Sequence, residues 1–534
     1  MFPTDLADPA AHLSTHLRPV LAGAAPLVEV VPSFLQLLQP FREQMTGPTF
    51  ASVVTLMGGW LFARRRTVTG ALAAGLDLQG LKGLQGLKGS AGPGESPGLP
   101  KHFSSYHRLL SLAKWSPDEV GLALLGLILV LAVASGATVF LAVDDTLCRR
   151  KGRKVWGACM HYDPLLTGRK WSNAGKSVKS RGHSWVVLGV VIAFGFRPGH
   201  YYCVPVLSRL CLNKKAAARL GRAYRSRPAL AREMLKRVCS DYPSRKFHLL
   251  CDSAYAGQDT LRALPANCHM TARWILNASL CAMPEPKGPG KKGPQRKRGE
   301  KLPKPSEMLG RRCRREELDV FGLRLSLRVA DGLACLYTVP GKLLRVIATE
   351  PLTASGHPRP KCRAAFFSTD TDAQVLQVLA WYASRWSIEL TFKDAKQELG
   401  LSQPQGRTEK SATRSAPLLF LLYGLVVLWF GRAGHTLFRP TTRPWYASKA
   451  HAAFADMLHT LRSECLRHML APPTPAPRPP AGAAALADVT GAADSAGAAD
   501  PTTAPAIPSS RDPLTQQGAH NYLQTLPGLL LAQV

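Results

Sequence analysis

The feature that most constrains the fold of this chain is a stretch of 24 residues without a charge, Val120 to Val143. Such a stretch is long enough to cross a bilayer. However, an Ala-Ser-Gly break lies inside it at 134–136, and Asp144-Asp145 follows it directly. We therefore predict a buried helix at about 117–132 and a buried strand at about 137–144, with a membrane span as the alternative.

Downstream of this stretch, apolar runs alternate with helical patterning as far as residue 280. The runs lack strict apolar–polar alternation, which is typical of strands covered by protein on both faces. The predicted elements are the strands TVFLAVDDT (138–146), VWGACMHY (155–162), WVVLGVVIAF (185–194), KFHLLCDSAY (246–255) and CHMTARWIL (268–276), with a helix at about 227–240. This alternation predicts an α/β fold.

The net charge of the 534-residue chain is +33, and its pI is about 10.1. So large a charge favours a polyanionic partner, with nucleic acid first and an acidic membrane second. The alternative is a basic DNA-packing protein without chemistry.

Twelve cysteines are scattered singly without a C-x2-C pair, which argues against a zinc ribbon or a disulfide framework. We also find no signal peptide, so we expect a cytoplasmic protein with no membrane partner.

The segment 381–401, WYASRWSIELTFKDAKQELGL, has the pattern Y-x2-R-x3-E-x6-K. The patterned residues are Tyr382, Arg385, Glu389 and Lys396. Good helix formers without Gly or Pro before Gly400 predict one helix that ends there. At about 100° per residue, the tyrosine, glutamate and lysine return to nearly the same face. The pattern predicts either a carboxylate that faces a charged ligand or an ordinary solvated helix surface.

Two other acidic sites follow buried strands. Asp144-Asp145-Thr146 ends one apolar run, and Asp252 ends another, in HLLCDSAY. A strand-end aspartate often caps the next turn. A buried carboxylate is nevertheless costly unless it is paired or bound to metal. Together with Glu389, these residues predict an oxygen-ligand site for Mg²⁺ or Mn²⁺, and two such ions could cleave a phosphodiester.

These motifs resemble the DDE transposases of bacterial insertion sequences. Asp-Asp-Thr at 144–146, Asp-x2-Tyr at 252–255 and the Y-x2-R-x3-E-x6-K helix carry the resemblance. The helix pattern matches, without a gap, the Tyr-Arg-Glu-Lys signature of the insertion-sequence-four family. The resemblance runs from about 41 to 430. It implies an RNase H-like catalytic core, of class α/β, that is interrupted by a mostly β insertion.

The resemblance also implies roles for individual residues. The catalytic metal ligands would be Asp144, Asp252 and Glu389, and the DNA-binding residues would be Tyr382, Arg385 and Lys396. Asp144 is the first aspartate of the D-x-T pattern, although alternation alone cannot choose between it and Asp145. The implied cofactor is Mg²⁺ or Mn²⁺, as two ions.

The implied function is cut-and-paste DNA transposition, with binding of element ends, hydrolysis of a phosphodiester and strand transfer. The implied partners are double-stranded DNA, as inverted-repeat ends and target, and a second copy of the chain in the DNA complex. The alternatives are an RNase H-like nuclease without strand transfer and a non-enzymatic basic DNA-binding protein.

The predicted domain organisation combines these segments with composition. It has a helical N-terminal region at 1–116 with a Gly-rich linker at 76–100, the first part of the core at 117–280, a basic loop and β insertion at 281–350, the second part of the core at 351–435, and a C-terminal region at 436–534 with disorder at 471–512. Arg64, Arg65 and Arg66 mark either a small DNA-binding region or a solvated helix end. We interpret His161 and His183 as structural and Tyr255 as a packing residue.

Overall fold

The computed structural model describes residues 27–84, 99–167, 177–286, 293–440 and 449–471. Its N-terminal part contains the helices α1 (Pro32–Leu38), α2 (Gly47–Phe62), α3 (Val68–Leu84) and α4 (Phe103–Ser111). Residues 76–84 belong to α3, so the predicted linker is wrong there. Each helical glycine costs about 1 kcal/mol, and the neighbouring Leu, Ala, Gln and Lys residues are strong helix formers that offset this cost. The remainder of that linker, 85–98, lies outside the described residues.

A twelve-stranded sheet forms the centre of the molecule. Its strands are β1 (Val139–Arg149), β2 (Cys159–Tyr162), β3 (Lys179–Ala193), β4 (Tyr201–Cys211), β5 (Phe247–Cys251), β6 (Cys268–Trp274), β7 (Leu280–Cys281), β8 (Lys301–Leu302), β9 (Arg314–Val320), β10 (Leu323–Leu336), β11 (Val339–Pro351) and β12 (Ala364–Ser368). The helices after α4 are α5 (Pro117–Leu131), α6 (Pro164–Thr167), α7 (Lys214–Arg219), α8 (Arg227–Asp241), α9 (Gln258–Arg262), α10 (Pro305–Arg311), α11 (Val375–Ser384), α12 (Ser387–Gln397), α13 (Glu409–Trp429), α14 (His435–Leu437) and α15 (Phe454–Leu470).

The sheet has two halves that meet between β6 and β12. In the first half, β3 pairs antiparallel with β1 and with β4, and β1, β5 and β6 are parallel neighbours. In the second half, β12 pairs antiparallel with β6, and the sheet continues through β11, β10, β7 and β8. The α/β class predicted from the sequence is confirmed.

The uncharged stretch folds as predicted, as helix α5 followed by strand β1. Ser116 caps α5 by accepting hydrogen bonds from two backbone N–H groups of its first turn. β1 does not end near 144 as predicted but continues to Arg149, because the long strand β3 pairs with it as far as Gly182. Asp144 and Asp145 therefore lie inside a strand and not after one.

One described helical segment, Glu409–Leu437, is long and apolar enough to cross a membrane. Of its apolar window, 78% is buried inside the protein, as expected for a core helix. The segment contains α13, which packs against β4, α4 and α5.

The N-terminal helices pack directly on this core. Trp60 Nε1 of α2 donates a hydrogen bond to the Leu399 carbonyl oxygen at 3.1 Å. Arg414 of α13 donates to the carbonyl oxygens of Leu110, which lies in α4, and Trp115, which follows it. Of the three clustered arginines, Arg66 is partly buried and donates to the Trp60 carbonyl oxygen, so it closes the end of α2 instead of facing a ligand.

Two further sequence predictions need correction, and one strand was not predicted at all. The single helix predicted over 381–401 is two helices, α11 and α12, which meet at Arg385 and Trp386. Strand β4 was not predicted, since Pro205 lies in its middle; β4 tolerates it beside a register shift in its pairing with β3. Within the predicted basic loop and β insertion at 281–350, the Lys- and Arg-rich part at 293–316 is not a loop throughout, because it contains β8, α10 and the start of β9, while 287–292 lie outside the described residues.

Candidate active site

The parallel pair β1 and β5 brings two aspartates together. Their last paired residues are Val143 and Cys251, and each is followed directly by an aspartate, Asp144 or Asp252. Neighbouring strands are about 4.8 Å apart, so the two carboxylates lie at adjacent positions across the sheet. Helix α12 packs against β1 and carries Glu389 in its first turn. We call Asp144, Asp252 and Glu389 the carboxylate cluster.

An arginine joins two members of this cluster. Arg385 Nη1 lies 2.9 Å from Asp144 Oδ2, and Arg385 Nη2 lies 2.9 Å from Glu389 Oε1. The arginine is only 5% exposed, and its Nε is buried without a hydrogen-bond partner among the described residues. The junction between α11 and α12 places it there, so the guanidinium sits between the carboxylates instead of at the surface.

The electrostatics of the cluster reflect burial and crowding. Burial raises the pKa of Asp144 to about 7 despite the attraction of Arg385, and the charges of Asp252, Glu389 and Asp145 raise it further. Burial also raises the pKa of Glu389; Arg385 opposes this shift, and Asp252 adds to it. The one buried arginine pairs with two of the three carboxylates, so the ionised cluster is short of positive charge.

Asp145 has its own set of partners. Tyr255 Oη donates a hydrogen bond to Asp145 Oδ1 at 2.8 Å, and Arg227 Nε lies 3.4 Å from Asp145 Oδ2. Ser184 Oγ also donates to Asp145, at 3.5 Å. The structure thus places Asp144, and not Asp145, beside Glu389. The sequence interpretation of Tyr255 as a packing residue missed this hydrogen bond, for which the D-x2-Y spacing alone gave no signal.

Asp252 also has a local structural role. Its Oδ1 accepts a hydrogen bond from the backbone N–H of Ala254 at 2.9 Å, the turn contact expected of a strand-end aspartate. One oxygen therefore holds the turn after β5. The carboxylate charge still acts on the cluster, since it raises the pKa of both Asp144 and Glu389.

The predicted DNA-binding residues do not share one face, because the helix breaks between Tyr382 and Glu389. Tyr382 is 3% exposed and packs its ring 4.8 Å from that of Phe366, so it belongs to the protein interior. Lys396 is partly buried two turns beyond Glu389, and burial lowers its pKa. Of the three, Lys396 is the one placed near the surface on the Glu389 side.

The two core histidines have structural surroundings. Burial lowers the pKa of both His161 and His183 to about 4. His183 accepts a hydrogen bond from Arg150 Nε at 3.1 Å, and its other ring nitrogen lies 2.8 Å from the Trp156 carbonyl oxygen. His161 Nε2 lies 3.1 Å from Cys159 Sγ.

The carboxylate cluster has the oxygen ligands that Mg²⁺ and Mn²⁺ prefer. As arranged here, no group of three His, Cys, Asp or Glu residues within the described ranges is ready to hold a metal ion. The guanidinium of Arg385 already lies between Asp144 and Glu389 as an internal cation. The donor set therefore fits a divalent ion once the arginine is displaced.

Comparison with known proteins supports this chemistry. No curated protein matches the chain. Residues 62–317 match the family model described as DDE superfamily endonuclease. The matched range contains Asp144 and Asp252 and ends before Glu389. The mixed α/β sheet is consistent with a DDE nuclease fold. The match supports a DDE transposase-like protein of the metal-dependent nuclease type, with DNA as its substrate.

Proposed function

We propose that this chain is a cut-and-paste DNA transposase of the insertion-sequence-four type. It binds the inverted-repeat ends of its element, hydrolyses a phosphodiester to free a 3′-OH, and uses that hydroxyl to attack target DNA. The observation that carries the proposal is the convergence of Asp144, Asp252 and Glu389 from β1, β5 and α12 beside a buried arginine.

The strand order supports an RNase H-like core for this enzyme. Three antiparallel strands in the order β4-β3-β1 are followed by β5 and β6, both parallel to β1. Strands β7 to β11 come between β6 and the Glu389 helix, which agrees with a mostly β insertion.

In the proposed reaction, Asp144, Asp252 and Glu389 hold two divalent ions, Mg²⁺ or Mn²⁺. When bound, such ions activate the attacking oxygen and stabilise the leaving oxygen of the phosphodiester. Asp145 is held by Tyr255 and Arg227 and orients the backbone that carries Asp144; its own N–H donates to Asp144 Oδ1 at 2.8 Å.

Arg385 has two states in this proposal. Without metal it neutralises Asp144 and Glu389. When metal binds these carboxylates, its guanidinium is released and can form the bidentate phosphate contact for which arginine geometry is suited. Lys396 supplies a second cation on the same side, and Tyr382 supports the position of Arg385 from the interior, with the guanidinium 5.5 Å from its ring centre. DNA binding and metal binding would then favour each other.

The experiment is a cleavage assay on DNA that carries the inverted repeats that the proposal expects beside the reading frame. The proposal expects nicking at the repeat ends in Mg²⁺ or Mn²⁺, then products joined to a target plasmid. Ca²⁺ should support end binding without cleavage, because its larger and looser coordination fits the reaction poorly. Full cleavage in excess chelator would contradict the proposal.

A second candidate is a nuclease without strand transfer, since the matched family is described as an endonuclease. It predicts the same nicking but no joined products. We further propose that the enzyme acts as a homodimer on DNA in the bacterial cytoplasm; size measurement of the end complex tests the dimer.

A further inference from the structure

A basic groove lies beyond the carboxylate cluster, between the N-terminal helices and the end of β1. Its lining residues are all polar and come from three segments of the chain: Arg65, Thr67, Arg149, Lys151, Ser402, Gln403 and Gln405. No carboxylate is among them. Cations, amides and hydroxyls are the side chains that most often contact the sugar–phosphate backbone of DNA.

The walls of the groove are fixed to one another. The backbone N–H of Arg66 donates to Gln403 Oε1 at 2.7 Å, which joins the N-terminal wall to the loop after α12. Arg150 Nη2 donates to the Leu401 carbonyl oxygen at 3.1 Å, which joins that loop to the end of β1. The groove is thus held in shape by contacts that do not use its free cations.

Those cations are available to a ligand. Arg65 and Lys151 are exposed, and neither forms an ion pair within the described residues. Arg149 pairs with the buried Asp163 at 2.7 Å but keeps half of its side chain exposed. The groove therefore presents a net positive charge.

The groove and the carboxylate cluster share the strand β1 and flank the helix α12. Asp144 and Arg149 both lie in β1, and α12, which packs against β1, carries Glu389 and precedes the Ser402–Gln405 wall of the groove. Five residues of strand span about 17 Å. The axial rise of DNA is about 3.4 Å per base pair, so this distance corresponds to about five base pairs.

We propose that the basic groove binds the backbone of the substrate duplex about five base pairs from the cleaved phosphate. This inference rests on the proposed function, because it assumes that the carboxylate cluster cuts DNA. The groove binds phosphates without reading bases, and it fixes the path by which the duplex leaves the site.

The first test neutralises the two free cations in Arg65→Gln/Lys151→Gln. The matched control is Lys236→Gln/Lys246→Gln, which removes the same charge from exposed lysines on α8 and before β5. Each lost phosphate contact reduces the log–log salt slope of duplex binding by about 0.9, so the slope of the groove variant should be smaller by about 1.8. Between about 0.05 M and about 0.2 M salt, the affinity of the groove variant should therefore fall about tenfold less than that of wild type. The control should keep the wild-type slope.

The second test locates the contact. Methylphosphonate substitution removes the charge of one phosphate at a time. In wild type, neutral linkages about four to six nucleotides from the cut should weaken binding, and in the groove variant the same linkages should have no further effect.

The outcomes separate the two proposals. Equal slopes for the groove variant and the control, with wild type still cutting DNA, would overturn the groove and leave the proposed function standing. If methylphosphonate linkages weaken binding only at positions other than about four to six nucleotides from the cut, the groove proposal is likewise wrong and the proposed function still stands. Failure of wild type to bind the duplex at all would overturn both.

Discussion

Two of the regions in which carboxylates pair with arginine have opposite balances of charge. Glu350 of β11 is fully buried and has two arginines, with Arg328 Nη1 at 2.7 Å and Arg363 Nε at 2.8 Å. In the carboxylate cluster the ratio is reversed, because the single Arg385 contacts both Asp144 and Glu389 at 2.9 Å.

The difference separates a structural ion pair from a binding site. Each carboxylate oxygen of Glu350 accepts a hydrogen bond from an arginine, so the charge of this glutamate is already compensated within the protein. Around Arg385 the negative charges exceed the positive ones, and the pKa of Asp144 is raised to about 7 as a result of burial and crowding. A site short of positive charge is one that a divalent ion would stabilise.

The largest expected effect is on catalysis. Asp144→Asn, Asp252→Asn and Glu389→Gln should each lower DNA nicking by at least about 1000-fold, or about 4 kcal/mol of activation free energy, because each removes a metal ligand. Binding of the element ends should stay within a few-fold of wild type. Gel assays of nicking and binding on the same purified variants measure both.

Asp145→Asn is the matched control for this series, since Asp145 faces Tyr255 and Arg227 instead of Glu389. It should retain more nicking than Asp144→Asn. The reverse order would show that the ligand within the pair was assigned incorrectly, while substantial nicking by Asp252→Asn would remove the metal-triad interpretation altogether.

The counterpart of this experiment at the other region is Glu350→Gln. It leaves Arg328 and Arg363 without their shared carboxylate, so it should lower the free energy of unfolding by about 2–3 kcal/mol. This is less than the 3–5 kcal/mol of a fully buried pair, because both arginines are partly exposed. Denaturant unfolding measures the loss, and nicking per folded molecule should be unchanged. If Glu350→Gln is as stable as wild type but does not nick DNA, Glu350 is not a structural residue, and the two regions do not differ as described.

Replacement of the shared arginine shows whether it competes with metal for the two carboxylates. In the DNA-free protein, Arg385→Gln should bind Mn²⁺ about tenfold more tightly than wild type, or by about 1.4 kcal/mol, since the ion no longer has to break two ion pairs. Calorimetric titration measures this affinity, and thermal melting with and without Mn²⁺ shows whether the ion restores lost stability.

Arg328→Gln is the control for that substitution, and it should leave Mn²⁺ affinity unchanged. Weaker Mn²⁺ binding by Arg385→Gln would mean that the arginine positions the carboxylates for metal and does not compete with it.

A smaller effect is expected from pH, on the stability of the metal-free protein and on its affinity for Mn²⁺. The pKa of Asp144 rises from 3.8 to about 7 on folding. Between these values the folded chain keeps a proton that the unfolded chain has lost, so this group lowers the stability of the metal-free protein as pH rises from about 4 to 7. Mn²⁺ affinity should increase over the upper part of this range, as the carboxylate ionises.

Unfolding of metal-free wild type and Asp144→Asn at pH 5 and pH 7.5 measures the contribution. The stability difference between the two proteins should shift in favour of Asp144→Asn at the higher pH. A shift in the opposite direction would contradict a raised pKa.

Local patterning predicted the parts of the fold that local forces determine. α5 and β1 follow from an uncharged stretch with a break at 134–136, and α8 follows from its helical pattern. The break between α11 and α12 was not predictable, because Arg385 and Trp386 keep helical backbone angles and no Gly or Pro marks them. β4 was missed because proline in its middle argues against a strand, and only its place in the sheet explains how it is tolerated.

The site was predictable in its residue types and not in its contacts. The sequence named Asp144, Asp252 and Glu389, and the parallel pairing of β1 and β5 explains why the two aspartates lie together, although Asp144 lies inside its strand and not at the end as predicted. The position of Arg385 was beyond sequence reasoning, because its partner Asp144 is 241 residues away. A helical wheel placed Tyr382 toward a ligand, whereas the break in the helix places it against Phe366.

The central claim is that the carboxylate cluster exchanges its internal arginine for divalent metal when DNA is bound. The most direct measurement is anomalous X-ray diffraction from crystals of the protein with an element-end duplex and Mn²⁺. We expect anomalous density between Asp144, Asp252 and Glu389, with Arg385 turned from the carboxylates toward a phosphate. A bound duplex with Arg385 still joining Asp144 to Glu389 and no anomalous density among the three carboxylates would contradict the claim.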